Sequence, residues 1–271
     1  MNPTPLRIRA LQAVMLRLTV DPEFGAALYR GDPAARSVDV HGGPYTLTDA
    51  DLTLFQAVDA RAWTTDVYRR TRLVQSIIEE YAVTTAIIGV PMVHRFFATN
   101  RFAEVLGHRG SVAEAFGVWA EMQCSGSNRE VSRLETAIAR ARRDFRPGGT
   151  GLVAAPGKEG TRVRTGTLEA WQQGLATLGG NPVQAAADGV RWTAAPAGPG
   201  WEQWLLERNN SGGLGVHALS AAQAGLMVFC RTPRPHSAVT RHARKLKVAK
   251  KEVRRVLRMM QANGLLVMRR S

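Results

Sequence analysis

Cysteine is nearly missing from this chain of 271 residues: Cys124 and Cys230 stand far apart, with no second cysteine near either. That spacing argues against a disulfide framework and a cysteine-rich zinc site, and free thiols fit a reducing compartment. Long apolar runs are missing too. The most apolar segment, residues 81–93, holds two threonines and a proline, and it is far shorter than the about 20 residues a membrane-spanning helix needs. Arg7, Arg9 and Arg17 interrupt the start of the chain where a signal peptide would be apolar, so a cytoplasmic location is expected. Catalytic signatures are equally scarce. There is no H-E-x-x-H and no G-x-S-x-G; His41, His94, His108 and His217 stand alone, and His236 and His242 do not share a helix face.

Two glycine strings fail on context. Gly149, Gly151 and Ala154 spell G-x-G-x-x-A, but a dinucleotide fingerprint follows a buried strand and opens a helix, and here Pro156 and Gly157 come next. Residues 151–158 approach a phosphate loop, yet five residues rather than four separate the glycines, and Glu159 stands where the magnesium-binding hydroxyl belongs. No catalytic residue and no metal ligand is expected on this chain.

What is present is apolar material and a local excess of positive charge. Apolar residues make up 45% of the chain, enough for one large or two modest cores. The formal charge is +14, and residues 231–271 hold thirteen lysines and arginines against a single acid, Glu252. A local field of that strength attracts phosphates or an acidic polypeptide.

Helical periodicity runs from Pro5 to about Arg146. Apolar residues at 8, 11, 14, 15 and 18 form one stripe; Asp21 caps a second helix that starts at Pro22, and Thr48 caps a third. Residues 61–81 are amphipathic, with Val67, Leu73, Val74, Ile77 and Ile78 inward and Arg69, Arg70, Glu79 and Glu80 outward. Shorter helices are expected at 91–97, 111–122 and 128–145, with Phe96, Phe97, Phe102, Phe116 and Trp119 as their core. At Arg146 the pattern breaks into Pro147, Gly148, Gly149 and Gly151. The expected organisation is therefore α+β, with an all-helical docking domain at 1–146 and an α+β domain at 147–271. In the second domain, 152–155 and 162–164 read as a hairpin, 167–178 as a helix, 179–188 as a loop, and 190–194, 201–208 and 214–219 as strands. The last two strands are joined through Asn209, Asn210, Ser211, Gly212 and Gly213. Helices at 221–230, 237–246 and 250–263 follow, the last ended by Gly264, with a short strand at 265–268.

Three strands followed by three helices, the last one basic, is a winged-helix-like layout, and it serves two kinds of partner. A DNA reader places the third helix in the major groove. A peptide reader adds an extended segment to the open edge of its sheet. For the second use, Leu214, Val216 and Leu219 with Val253, Leu257 and Met260 would line an apolar groove, and Lys250, Arg254 and Arg258 would meet acidic groups; core packing is the plainer role for at least half of the apolar residues.

Residues 201–266 resemble the PqqD-like peptide-recognition element of pathways that make ribosomally synthesised, modified peptides. LTDADLTLFQAVDARAWTTDVYRRTRLVQSIIEEY (47–81), RFFATNRFAEVLGHRGSVAEAFGVWAE (95–121) and TGTLEAWQQGLATLG (165–179) are similar to the partner subunits of multinuclear iron oxidases that modify cysteine in precursor peptides, the MbnC/TglI-like family. The resemblance rests on diffuse hydrophobic patterns over most of the chain. It implies a noncatalytic subunit that binds the acidic leader of a precursor peptide and presents its cysteine to a TIM-barrel subunit. It places the iron in that partner, with no cofactor on this chain. The alternative is a winged-helix transcriptional regulator; an isolated enzyme is a third reading.

Overall fold

The computed structural model describes residues 4–64, 67–108, 110–143, 149–209 and 213–269. They form a mixed α+β chain with small antiparallel sheets. It divides into two compact units, Met1–Cys124 with Leu175–Thr193, and Ser125–Gly174 with Ala194–Ser271. The boundary expected at Arg146 lies outside the described residues.

The first unit opens with helices α1 (Pro5–Val20), α2 (Pro22–Tyr29) and α3 (Pro33–Arg36). Strands β1 (Ser37–Val40) and β2 (Gly43–Thr46) come next, then α4 (Asp49–Gln56), α5 (Ala60–Thr64) and α6 (Val67–Glu80). Helices α7 (Ala82–Ile88), α8 (Val90–Phe96), α9 (Asn100–His108) and α10 (Val112–Gln123) complete the N-terminal run. The helix starts follow from capping chemistry. Thr4 Oγ1 accepts from the Arg7 N–H ahead of Pro5, and Asp21 accepts from the Phe24 N–H ahead of Pro22. Thr48 and Asp51 form a reciprocal capping box at α4. Asp51 also ties three elements together, accepting from Arg7 Nε of α1 at 2.8 Å and from Tyr45 Oη of β2 at 2.9 Å.

The expectation that this region is all helical is corrected by the β1–β2 hairpin, paired from Ser37↔Thr46 to Val40↔Gly43. Gly42 and Gly43 turn the chain at φ of 113° and 116°, values open to glycine. Helix α9 approaches the hairpin so closely that a Cβ on Gly107 would lie 2.1 Å from the Asp39 carbonyl oxygen. Val74, Ile77 and Ile78 of α6 are buried as expected, whereas Leu73 is half-buried; the Val67 side chain lies outside the description. The expected aromatic core is present. Phe96 sits at its centre, 5.3–5.6 Å from the rings of Phe97, Phe102, Phe116 and Trp119, three of the four contacts being edge-on.

The second unit begins with α11 (Gly126–Ala141), followed by β3 (Gly151–Ala154), β4 (Lys158–Arg164) and the larger part of α12 (Thr167–Thr177), whose last residues, from Leu175, belong to the first unit. The short α13 (Pro182–Ala187), capped by Asn181, belongs to the first unit and replaces the loop expected at 179–188. The chain then runs through β5 (Trp201–Arg208), β6 (Leu214–Ala218), α14 (Ala221–Phe229), α15 (His236–Lys245), α16 (Lys250–Ala262) and β7 (Leu266–Arg269). Of the joining residues expected between β5 and β6, 210–212 lie outside the described residues.

Strand pairing differs from the expectation in two ways. Segment 190–194 is not a strand; the three-stranded sheet is β4-β5-β6. Nor do 152–155 and 162–164 pair. Strand β3 pairs with the distant β7, while β4 pairs with β5. Leu152, fully buried, exchanges backbone hydrogen bonds with Arg234 at 2.8 and 2.9 Å, so β3 lies between Arg234 and β7. Burying Leu152 in the helical core outweighs the short local turn, because a hairpin of two such short strands is barely stable alone.

The β4-β5-β6 sheet is buried on both faces. Val163 and Leu206 pack with Leu134, Ala137 and Ile138 of α11, while Leu205 packs with Leu226 and Met227 of α14 in the core that α15 and α16 complete. Gly160 lets α14 lie close to β4, for a Cβ there would come within 2.8 Å of Met227 Cβ. No helix among the described residues is long and apolar enough to cross a membrane.

Candidate peptide and polyanion interface

Two features of the second unit point outward, an open strand edge and a basic helical face. In an antiparallel ladder, residues alternate between bonding the partner strand and pointing away from it. The Leu219 N–H donates to the Gln203 carbonyl at 2.8 Å, and the Asn209 N–H donates to Gly213 at 3.0 Å. With Leu206 opposite Val216, alternation turns the N–H and C=O of Leu214, Val216 and Ala218 away from β5. Among the described residues their N–H groups bond no other backbone group. The far edge of the same sheet is different: the outward Arg164 N–H of β4 donates to Glu130 Oε2. An edge without Pro, Lys or a covering element is a template for another strand.

The basic face is built by helical periodicity. In α16, Val253, Leu257 and Met260 turn inward, 3%, 2% and 0% exposed, so Lys250, Lys251, Arg254, Arg255 and Arg258 face water. Residues 246–249 join α16 to α15, whose Arg241, Arg244 and Lys245 are also exposed, as is Lys247 in the joint. Arg255 reaches Glu252 at 3.6 Å. Among the described residues the other eight cations pair with no carboxylate. Elsewhere in the unit Glu159 holds Arg231, and Glu207 holds Lys158 at 3.0 Å.

The groove expected from six apolar residues is not formed. Leu214 and Val216 pack on the α11 side of the sheet, whereas Leu219 packs on the opposite core with Val253, Leu257 and Met260. The period of two along β6 puts alternate residues on opposite faces, and the three α16 residues are core. Of the nine expected site residues, Lys250, Arg254 and Arg258 are therefore exposed for contact, and Leu214 and Val216 offer backbone at the edge with half-buried side chains.

The cysteines are both free. Burial pushes the Cys230 thiol up to about 11, against a small opposing effect of Arg234. His242 stacks on Phe229 with ring centroids 4.0 Å apart, and burial, with Lys245 nearby, holds its pKa below the usual value. Among the described residues no three His, Cys, Asp or Glu side chains come together as a metal site.

No protein-family model matches the chain, and no curated protein matches it.

Proposed function

We propose that this chain is a noncatalytic partner subunit that binds the acidic leader of a ribosomally synthesised precursor peptide and presents the peptide's cysteine to a multinuclear iron oxidase. The carrying observation is the open β6 edge, with backbone groups of Leu214, Val216 and Ala218 turned outward, in the same unit as eight exposed cations that pair with no carboxylate among the described residues. The leader adds as a strand beside β6. Its acidic side chains meet Lys250, Arg254 and Arg258, while the iron stays on the partner's TIM barrel.

Magnitudes explain why both features are needed. Three or four new backbone bonds contribute roughly 0.5–1.5 kcal/mol each, which falls short of the about 8 kcal/mol of micromolar binding. Exposed ion pairs add about 0.2–1 kcal/mol apiece, so several must act together. Anchoring the leader raises the effective concentration of the reacting segment at the partner's site.

The test is leader binding by a Val216→Pro variant. Proline removes an outward donor that no ladder bond uses, so the sheet should survive in circular dichroism while leader affinity falls about tenfold. Gly215→Pro, on the inward-bonding set, should disrupt the sheet itself. Unchanged leader affinity in a folded Val216→Pro variant contradicts the reading.

A second reading is favoured by one observation: α15, a four-residue joint and α16 form a helix-turn-helix whose outer face is basic. That geometry suits a winged-helix regulator reading duplex DNA. The base-reading amides available to it are few, since Gln261 and Asn263 lie at the C-terminal end of α16.

A further inference from the structure

A cleft of about 660 Å³ opens in the first unit, away from the β6 edge and the basic helices, between the α1–α2 junction, α6, α8 and α10. Its charged lining is uneven. Asp21 is buried and fully engaged, accepting from Arg17 Nε at 3.0 Å and from the Phe24 N–H at 3.0 Å. Glu23 is exposed at the rim. Among the described residues neither Arg70 nor Arg95 pairs with a carboxylate. Arg70 reaches only the His94 carbonyl, at 3.4 Å, and lies over the Phe97 ring at 5.8 Å, while its Nε is buried without any hydrogen-bond partner. Arg95 donates to Met92 Sδ at 3.7 Å.

A buried guanidinium nitrogen with no acceptor costs several times what a satisfied one contributes, so native proteins rarely leave one. That nitrogen is closed off from solvent, so it is the rest of the Arg70 side chain that lines the cleft. His94 does not supply positive charge of its own, because burial and the neighbouring Arg70 keep its pKa below the ordinary value. Val20, Met92, Phe97, Ala98 and Trp119 add apolar wall, and Thr99 and Gln123 add polar groups. Such a mixture of an apolar wall and a few convergent donors is the usual make-up of a small-ligand site.

We propose that this cleft binds a small organic oxyanion, a carboxylate or phosphate group carried on an apolar body, with Arg70 and Arg95 as its counter-charges. The proposal is independent of leader binding, since it uses neither β6 nor the basic helices. The probes are benzoate and phenyl phosphate, with benzamide as the uncharged counterpart, titrated calorimetrically into the full chain in low-chloride buffer. At least one of the two anions should bind saturably and benzamide should not. Arg95→Gln, an exposed position whose loss leaves the core intact, should weaken binding about tenfold or more, whereas Arg162→Gln, exposed on β4, should leave it unchanged. Arg70→Gln should have the larger effect; should that variant unfold, Arg95→Gln decides. No saturable binding of either anion up to about 10 mM, equal binding of benzamide, or full affinity in Arg95→Gln overturns the proposal.

Discussion

Replacing Asp51 by Asn removes one charge from the buried junction of α1, β2 and α4, and the structure sets the size of the effect. The carboxylate is fully buried and accepts four hydrogen bonds, from Arg7 Nε, Tyr45 Oη, the Thr48 N–H and Thr48 Oγ1, at 2.8–2.9 Å. Burial pushes its pKa up, but the bonds from Thr48, Arg7 and Tyr45 outweigh that and hold it at about 2, below the ordinary 3.8. An asparagine would aim an N–H into a cage made of donors. Breaking a buried pair this way costs about 3 kcal/mol, tempered because Arg7 is half-exposed and can turn to water. The pH dependence has a definite sign. The unfolded carboxyl takes up its proton first, so the stabilisation is complete above about pH 4 and is lost as pH falls toward 2, about 2 kcal/mol in all. Hydrogen exchange across 45–56, read with urea titrations at pH 7 and pH 2.5, measures both quantities. The native chain should lose more stability on acidification than Asp51→Asn does. Equal urea midpoints at pH 7, or an acid loss identical in the two proteins, would refute the reasoning.

Other consequences are simpler to check. Alkylation of the native chain should label Cys124 and spare Cys230 until denaturant is added, because the latter is fully buried with a thiol pKa of about 11; rapid labelling of both under native conditions contradicts that. Phe96→Ala removes the ring that touches four other aromatics and should cost about 3–5 kcal/mol in urea unfolding, a loss under about 1 kcal/mol being incompatible with the cluster described. Gly107→Ala should destabilise the first unit although α9 is helical, since its Cβ meets the Asp39 carbonyl; a neutral or stabilising outcome, the usual effect of alanine in a helix, would place α9 farther from β1.

Helix starts are the most legible part of this chain, because capping is local: Asp21 before Pro22 and Thr48 before α4 each satisfy a backbone N–H three residues on. The same local signals stood at Gly42–Gly43 and Asn181–Pro182, where the hairpin and α13 went unread within a helical pattern and a presumed loop. Sheet pairing was not legible. Strand β7 lies more than a hundred residues from its partner β3, and burial of Leu152 decides that pairing. The basic face of α16 followed directly from its periodicity. The groove did not, because periodicity says that Val216 and Leu219 face opposite ways but not which face meets which helix. The arginine cleft was invisible for a related reason: Arg70 on α6, Arg95 on α8 and Asp21 at the α1–α2 junction converge only on folding.

The central claim is that the second unit reads an extended acidic peptide, and the salt dependence of binding tests it most directly. A labelled acidic leader peptide and a DNA duplex would each be titrated at 50 and 200 mM salt. Backbone pairing at β6 is insensitive to salt and only the ion pairs are screened, so leader binding should weaken by no more than about tenfold. Duplex binding that engages about six phosphates would lose on the order of a thousandfold over the same range. Measurable leader affinity with the shallow dependence is the predicted result; no leader affinity beside tight, salt-steep duplex binding would contradict the account in favour of the regulator.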